Sequence, residues 1–213
     1  QECIEEENSR ITASTIEMAD FDEEYDIAVI DEAQMVADTD RGHSWTKAIL
    51  GLRAKEIHIC MSPSAEPAMV HLIELCGDDY EIERYERKTA LLCEEQPFAF
   101  PEDVQSGDAL IVFSKKSVLD VAGRLEEQGI EASVIYGSLP PEIRRRQMHL
   151  FNKGKTRVVV ATDAIGMGLT LPVRRIVFLQ SEKFDGVGRR PLTTSEVRQI
   201  AGRAGRYGIY NSG

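Results

Sequence analysis

Three short stretches of the sequence put charged and hydroxyl side chains where they can do chemistry. The first is Asp31-Glu32-Ala33-Gln34, directly after the β-branched run Tyr25-Asp26-Ile27-Ala28-Val29-Ile30. An aspartate at such a strand end can hold Mg²⁺, usually through water, and an adjacent glutamate can orient or deprotonate an attacking water. The alternative is an acidic helix start with Asp31 as N-cap. The second is Gln199-Ile200-Ala201-Gly202-Arg203-Ala204-Gly205-Arg206. On a single helix Arg203 and Arg206 are three apart and Gln199 lies four before Arg203, so all three share a face and can converge on one anion. Ala201, Gly202, Ala204 and Gly205 let that face approach closely. A merely solvated basic helix has no need of two interior glycines, which cost roughly 1 kcal/mol each against alanine. The third runs from Val158 through Thr162 and Asp163 to Gly166 and Gly168. Its glycines permit close backbone approach to a phosphate or ribose, and Thr162 can donate to a phosphate oxygen. The alternative is an ordinary strand-to-helix turn capped by Asp163.

These residues need elements to hold them. The apolar run over 25–31 reads as a buried strand of a parallel sheet, whose carboxyl end is a natural ligand edge. After it the pattern predicts a helix over 45–52, a strand over 56–61 and a helix over 67–76. Charged residues, Pro97 and Pro101 then interrupt the pattern between Tyr85 and Gly107, where a linker is expected. The alternation resumes with a strand over 109–114, a helix over 118–128 stopped by Gly129, a strand over 132–136 and a helix over 141–152. Strands over 157–161 and 175–179 and a helix over 195–204 complete it. Strands alternating with helices imply two α/β units with parallel sheets, residues 1–95 and 96–213.

Composition agrees. The chain has 213 residues, 42% hydrophobic and 29% charged, enough for two cores and too apolar for disorder. No window approaches the roughly 18 continuous apolar residues of a membrane span, and the acidic start reads as neither a signal nor a transit sequence. The net charge of -11 averages two unlike halves: residues 1–95 carry 24 acidic and 8 basic side chains, residues 96–213 carry 12 and 17. Contact with a polyanion is therefore expected of the second half. Cys3, Cys60, Cys76 and Cys93 form no CxxC pair and are expected as buried free thiols. His43, His58, His71 and His149 have no metal-ligand spacing with them. Trp45 is expected in the core, and Arg144-Arg145-Arg146 reads equally as a solvated helix face or an RNA contact.

Taken in order, the three stretches resemble the motifs of superfamily 2 helicases. Asp31 to Gln34 is similar to the Walker B motif, Thr162 to Gly168 to motif V, and Gln199 to Arg206 to motif VI. Thr15-Ile16-Glu17-Met18 is similar to motif Ib, Met61 to Glu66 occupies the place of motif III, and Val112 to Lys116 that of motif IV. The longer strings Arg41 to Gly51, Val134 to Pro141 and Ala161 to Gly168 resemble the RNA helicases of the mitochondrial degradosome type and their bacterial relatives. The likeness covers about residues 12 to 210.

The resemblance implies two RecA-like domains, the first truncated at its N-terminus, and a parent protein that couples ATP hydrolysis to unwinding of RNA. In that scheme Asp31 coordinates Mg²⁺ and Glu32 activates water. Gln199, Arg203 and Arg206 reach across the interdomain cleft to the γ-phosphate. Gln34, Gly166 and Gly168 lie beside the nucleotide, while Thr15, Ser114, Lys115 and Thr162 contact the sugar-phosphate backbone without base readout. An exoribonuclease partner belongs to the same scheme, DNA can replace RNA in it, and the expected setting is a bacterial cytoplasm or, alternatively, the mitochondrial matrix.

One family motif is missing. The only Gly-Lys in the chain is Gly154-Lys155-Thr156, which joins a predicted helix to a strand, the reverse of the context that a phosphate-binding loop requires. The chain alone is thus expected to be inactive, and two other readings stay open: a non-hydrolytic module binding RNA or a protein, and a DNA translocase of the same superfamily.

Overall fold

Strand β5 (Val158–Ala161) is buried at all four positions, and its neighbour β3 (Asp108–Ile111) likewise, as expected of central strands covered on both faces. In the computed structural model, which describes residues 10–166, 171–210, 212 and 213, they form the middle of the second of two units, residues 1–84 and 85–213.

In the second unit the strands run β4 (Ala132–Ile135), β5, β3, β6 (Arg175–Phe178), all parallel. Alternation sorts their side chains into two cores. Ala109, Ile111, Val159 and Ala161 face one side, with Ile135, Phe151 and Ile200; Leu110, Val112, Val158 and Val160 face the other, with Val118, Val121 and Leu125. Helix α3 (Lys115–Glu127) therefore covers one face, and α4 (Pro141–Asn152) and α5 (Thr194–Ala201) the other. The order reverses between β5 and β3, which makes the carboxyl ends of those two strands a switch-point crevice. The last elements are an antiparallel hairpin, β7 (Glu182–Phe184) and β8 (Arg189–Pro191), that hydrophobic periodicity does not predict.

The first unit pairs β1 (Glu24–Ile30) in parallel with β2 (Arg53–Ile59). Helices α1 (Gly42–Gly51) and α2 (Glu66–Cys76) accompany them, around a core of Ile30, Ala33, Trp45, Ala48, Ile49, Ala65 and Met69. Gly42 at the start of α1 is required: any side chain there would overlap the Val36 carbonyl.

Two expectations change. Residues 85–95, grouped with the first half by charge, fall with the second unit, where Glu94 pairs with Arg175 and the Leu92 N–H donates to the Gly213 carbonyl. The thiols of Cys60, Cys76 and Cys93 are exposed, because each stands at or beyond an element end where the chain leaves the core; Cys3 lies outside the described residues. Among the described residues no helix is long and apolar enough to cross a membrane.

Candidate functional site

In the first unit the acidic pair sits at the carboxyl end of β1, as its sequence context predicts. Asp31 is not a helix cap. Its Oδ1 accepts from the Glu32 N–H at 2.9 Å, and its other carboxylate oxygen has no donor among the described residues, which fits a water-mediated hold on a divalent cation. Glu32 takes a left-handed conformation, φ 54°, as the residue before the 3-10 turn Ala33–Ala37. A non-glycine residue in that region stores strain of about 1 kcal/mol or more, held here by the surroundings. The Ala33 N–H donates to the Cys60 carbonyl at 2.9 Å. The Gln34 amide donates to the Glu32 carboxylate and accepts from the Ser62 N–H at 3.1 Å. Gln34 thus ties the acidic pair to the segment after β2, the place of motif III.

Thr15 is exposed, just before the 3-10 turn Ile16–Met18. Two residues on, Glu17 accepts from Arg41 Nε at 2.9 Å, and the Arg41 guanidinium holds that carboxyl below its ordinary value. Arg41 in turn lies 5.3 Å from the centroid of the Trp45 ring.

In the second unit the expected backbone-contact residues share the carboxyl edge of the sheet. Ser114 caps α3, its Oγ accepting from the Ser117 N–H at 3.0 Å, and Lys115 follows with its ammonium 5.5 Å from the Tyr136 ring centroid. Thr162 follows β5 but is buried, and its Oγ accepts from the Ala164 N–H at 3.3 Å, which leaves its hydroxyl proton free to donate to a phosphate oxygen. Gly166 closes the next 3-10 turn; Gly168 lies outside the described residues.

The expected common face of Gln199, Arg203 and Arg206 on one helix is not found. Helix α5 ends at Ala201, and Gly205 takes φ 62°, which turns the chain out of the helical path. A side chain at Gly205 would also meet the Gly213 backbone. The glycines therefore shape a loop and not a close-packed helix face. Gln199 remains on the helix, its side chain close to Gly166, and Arg203 donates to the Gly166 carbonyl. The segments expected as motifs V and VI are joined by that bond. Arg206 is exposed, and its guanidinium has no hydrogen bond or ion pair to another described residue.

Sequence reasoning passed over an ion network beside this loop. Glu196 accepts from Arg190 Nη2 at 2.9 Å and pairs with Lys183 at 2.8 Å, and Lys183 also reaches Asp163 at 3.1 Å. Arg190 holds the Glu196 carboxyl far below the usual range, with help from Lys183 and the Thr193 N–H. Burial lowers the Lys183 pKa, but Glu196 and Asp163 outweigh it and the net shift is upward. The available signal was Thr193-Thr194-Ser195-Glu196, a capping box that the structure forms.

The family described as "Helicase conserved C-terminal domain" matches residues 87–208, more than half of the chain. The chain belongs to this helicase family. Residues 1–85 match a second description, "DEXQ-box helicase domain of Suv3". The chain is 44% identical over 211 residues to "ATP-dependent RNA helicase SUV3, mitochondrial" of Oryza sativa subsp. japonica, covering 98% of this chain and 36% of that protein. Its identity to the Saccharomyces cerevisiae protein of the same name is 42%, covering 92% of this chain and 27% of that one. It thus spans about a third or less of the relatives it matches. Among solved structures it is similar to "S. cerevisiae Dbp5 bound to RNA and ADP BeF3", with TM-score 0.57, 18% identity, and coverage of 85% of this chain and 50% of that chain. That likeness shows the fold, α/β and RecA-like.

Proposed function

We propose that this helicase chain is the part of an ATP-dependent RNA helicase that carries the metal-binding carboxylates and the γ-phosphate arginines. The observation that carries the reading is the acidic pair at the end of β1, with Asp31 tied to Trp45 through its carbonyl and Glu32 tied to Ser62 through Gln34. In this reading Asp31 holds Mg²⁺ through water and Glu32 orients the attacking water. A bound Mg²⁺–ATP would supply the reactive phosphoryl group; the residues supply position and charge. Arg203, Arg206 and Gln199 stabilise negative charge on the transferring group, and Gly166 and Gly168 allow the backbone close to the nucleotide. Thr15, Ser114, Lys115 and Thr162 grip the sugar-phosphate backbone of RNA.

By themselves the 213 residues hold no Gly-Lys-Ser/Thr loop in a strand-loop-helix context, and in our reading they do not turn ATP over alone. The two relatives carry "mitochondrial" in their names, which favours the matrix over the bacterial cytoplasm as the setting. An exoribonuclease that consumes the unwound strand is a partner consistent with this activity.

The test is RNA-stimulated ATP hydrolysis by the full-length protein carrying this sequence. Arg206→Ala is expected to lower kcat by about a thousandfold with KM for ATP nearly unchanged. Normal kcat in that variant would remove the arginine from the mechanism, and equal stimulation by DNA would remove the preference for RNA.

A further inference from the structure

The loop that carries Arg203 and Arg206 lies outside helix and sheet, so its carbonyls need partners from elsewhere. Those of Gly202 and Ala204, on either side of Arg203, are taken by one side chain. Arg87 Nη1 donates to the Gly202 carbonyl at 2.7 Å, and Nη2 donates to the Ala204 carbonyl. Its Nε donates to the Thr89 carbonyl at 2.6 Å, and Thr89 is itself buried. All three nitrogens of the fork therefore point at backbone.

The neighbours of Arg87 continue the contact. The Lys88 ammonium lies 5.0 Å from the Tyr207 ring centroid. The Gly213 N–H donates to the Ala90 carbonyl at 3.0 Å, and the Leu92 N–H to the Gly213 carbonyl at 2.7 Å. The inner border of the loop is held separately: Arg203 donates to the Gly166 carbonyl, and the Gly205 N–H to the Val173 carbonyl at 3.0 Å. Arg87, Arg203, Arg206 and Tyr207 border one open cavity of about 290 Å³. A guanidinium just past a helix carboxyl end is also favoured by the peptide dipoles, and lysine has no rigid fork that spans two carbonyls.

We propose that Arg87 is a positioning residue for the arginine loop: its fork sets the backbone path over 202–205 and so the direction in which Arg206 leaves the chain. The functional half of this proposal rests on the reading of Arg206 as a γ-phosphate ligand. Each of the three Arg87 nitrogens donates to a main-chain carbonyl, so the guanidinium acts on the site through the backbone it holds.

Two measurements test it. In the 213-residue chain, Arg87→Ala is expected to speed amide hydrogen exchange at Arg203, Ala204 and Gly205 by about tenfold or more, with β3 and β5 unchanged. Unchanged loop exchange, or faster exchange throughout the unit, overturns the local hold. In the full-length protein, Arg87→Ala is expected to lower kcat for RNA-stimulated ATP hydrolysis by about thirtyfold with KM for ATP within about twofold. Arg87→Lys keeps the charge without the fork and should fall nearly as far; a wild-type rate in both variants, beside an inactive Arg206→Ala control, overturns the positioning role. A fully active Arg206→Ala control would instead sink the γ-phosphate reading, while loop exchange still decides whether Arg87 holds the backbone.

Discussion

The indole Nε1 of Trp45 donates to the main-chain carbonyl of Asp31 at 3.0 Å. Trp45 is buried on α1, and Arg41, one turn earlier, lies against its ring while pairing with Glu17 at 2.6 Å. A chain of contacts thus runs from the residue two beyond Thr15 to the backbone of the acidic pair.

Trp45→Phe keeps an aromatic ring in the core and removes the donor. It is expected to destabilise the chain by about 1–3 kcal/mol, the combined effect of an unpaired carbonyl and the smaller ring. Urea unfolding measures this; an unchanged midpoint would mean that water replaces the indole.

Gly42→Ala pushes a methyl group into the Val36 carbonyl, at the junction of the 3-10 turn that follows the acidic pair with α1. Backbone on both sides must shift, and a loss of about 1–3 kcal/mol is expected, although alanine is the better helix former. A rise in thermal midpoint would show that the junction yields freely.

Arg175 binds Asp108 through two hydrogen bonds, Nε to Oδ1 at 3.0 Å and Nη2 to Oδ2 at 2.7 Å. Asp108 is 0% exposed. Arg175→Ala leaves that carboxylate buried without its cation and is expected to cost about 3–5 kcal/mol, measured by denaturant unfolding. A loss below about 1 kcal/mol would show that water replaces the guanidinium.

The Glu196 network sets a pH window. A carboxyl held below its unfolded value, about 4.3, contributes in full above that value, and the contribution is lost as pH falls through the folded value. Lys183, shifted upward, contributes in full below about 10.4, and its contribution is lost as pH rises through the folded value. Glu196→Gln should therefore lower the thermal midpoint at pH 7, with the gap to wild type closing only below about pH 4. A gap that persists unchanged at pH 2 would assign the effect to packing.

Much of the fold was legible because its signals are local. The runs Val158 to Ala161 and Ala109 to Val112 are continuously apolar, with no polar residue at alternate positions, which is the pattern of a strand covered on both faces. Gly129, at φ 71°, stops α3 just past Gln128, as the sequence predicts. The hairpin of β7 and β8 was not legible: it is held by Asp185, whose Oδ1 accepts from the Val187 and Gly188 N–H groups at 2.9 Å, and by ion pairs to α5. A three-residue strand stabilised that way leaves no periodicity to read.

What the sequence by itself determined is the order of the motifs, the α/β alternation and the membership of the helicase family, since each depends on residue types along the chain. Tertiary structure decided the geometry inside the candidate site. It ended α5 before Arg203, bound Arg203 to the Gly166 carbonyl, and joined Gln34 to Ser62 and Trp45 to Asp31. It also brought Arg87 to the carbonyls of Gly202 and Ala204, over a hundred residues away. The physical reason is range: periodicity and capping act over a few residues, whereas a buried donor or carbonyl takes whichever partner the packed fold brings within about 3 Å.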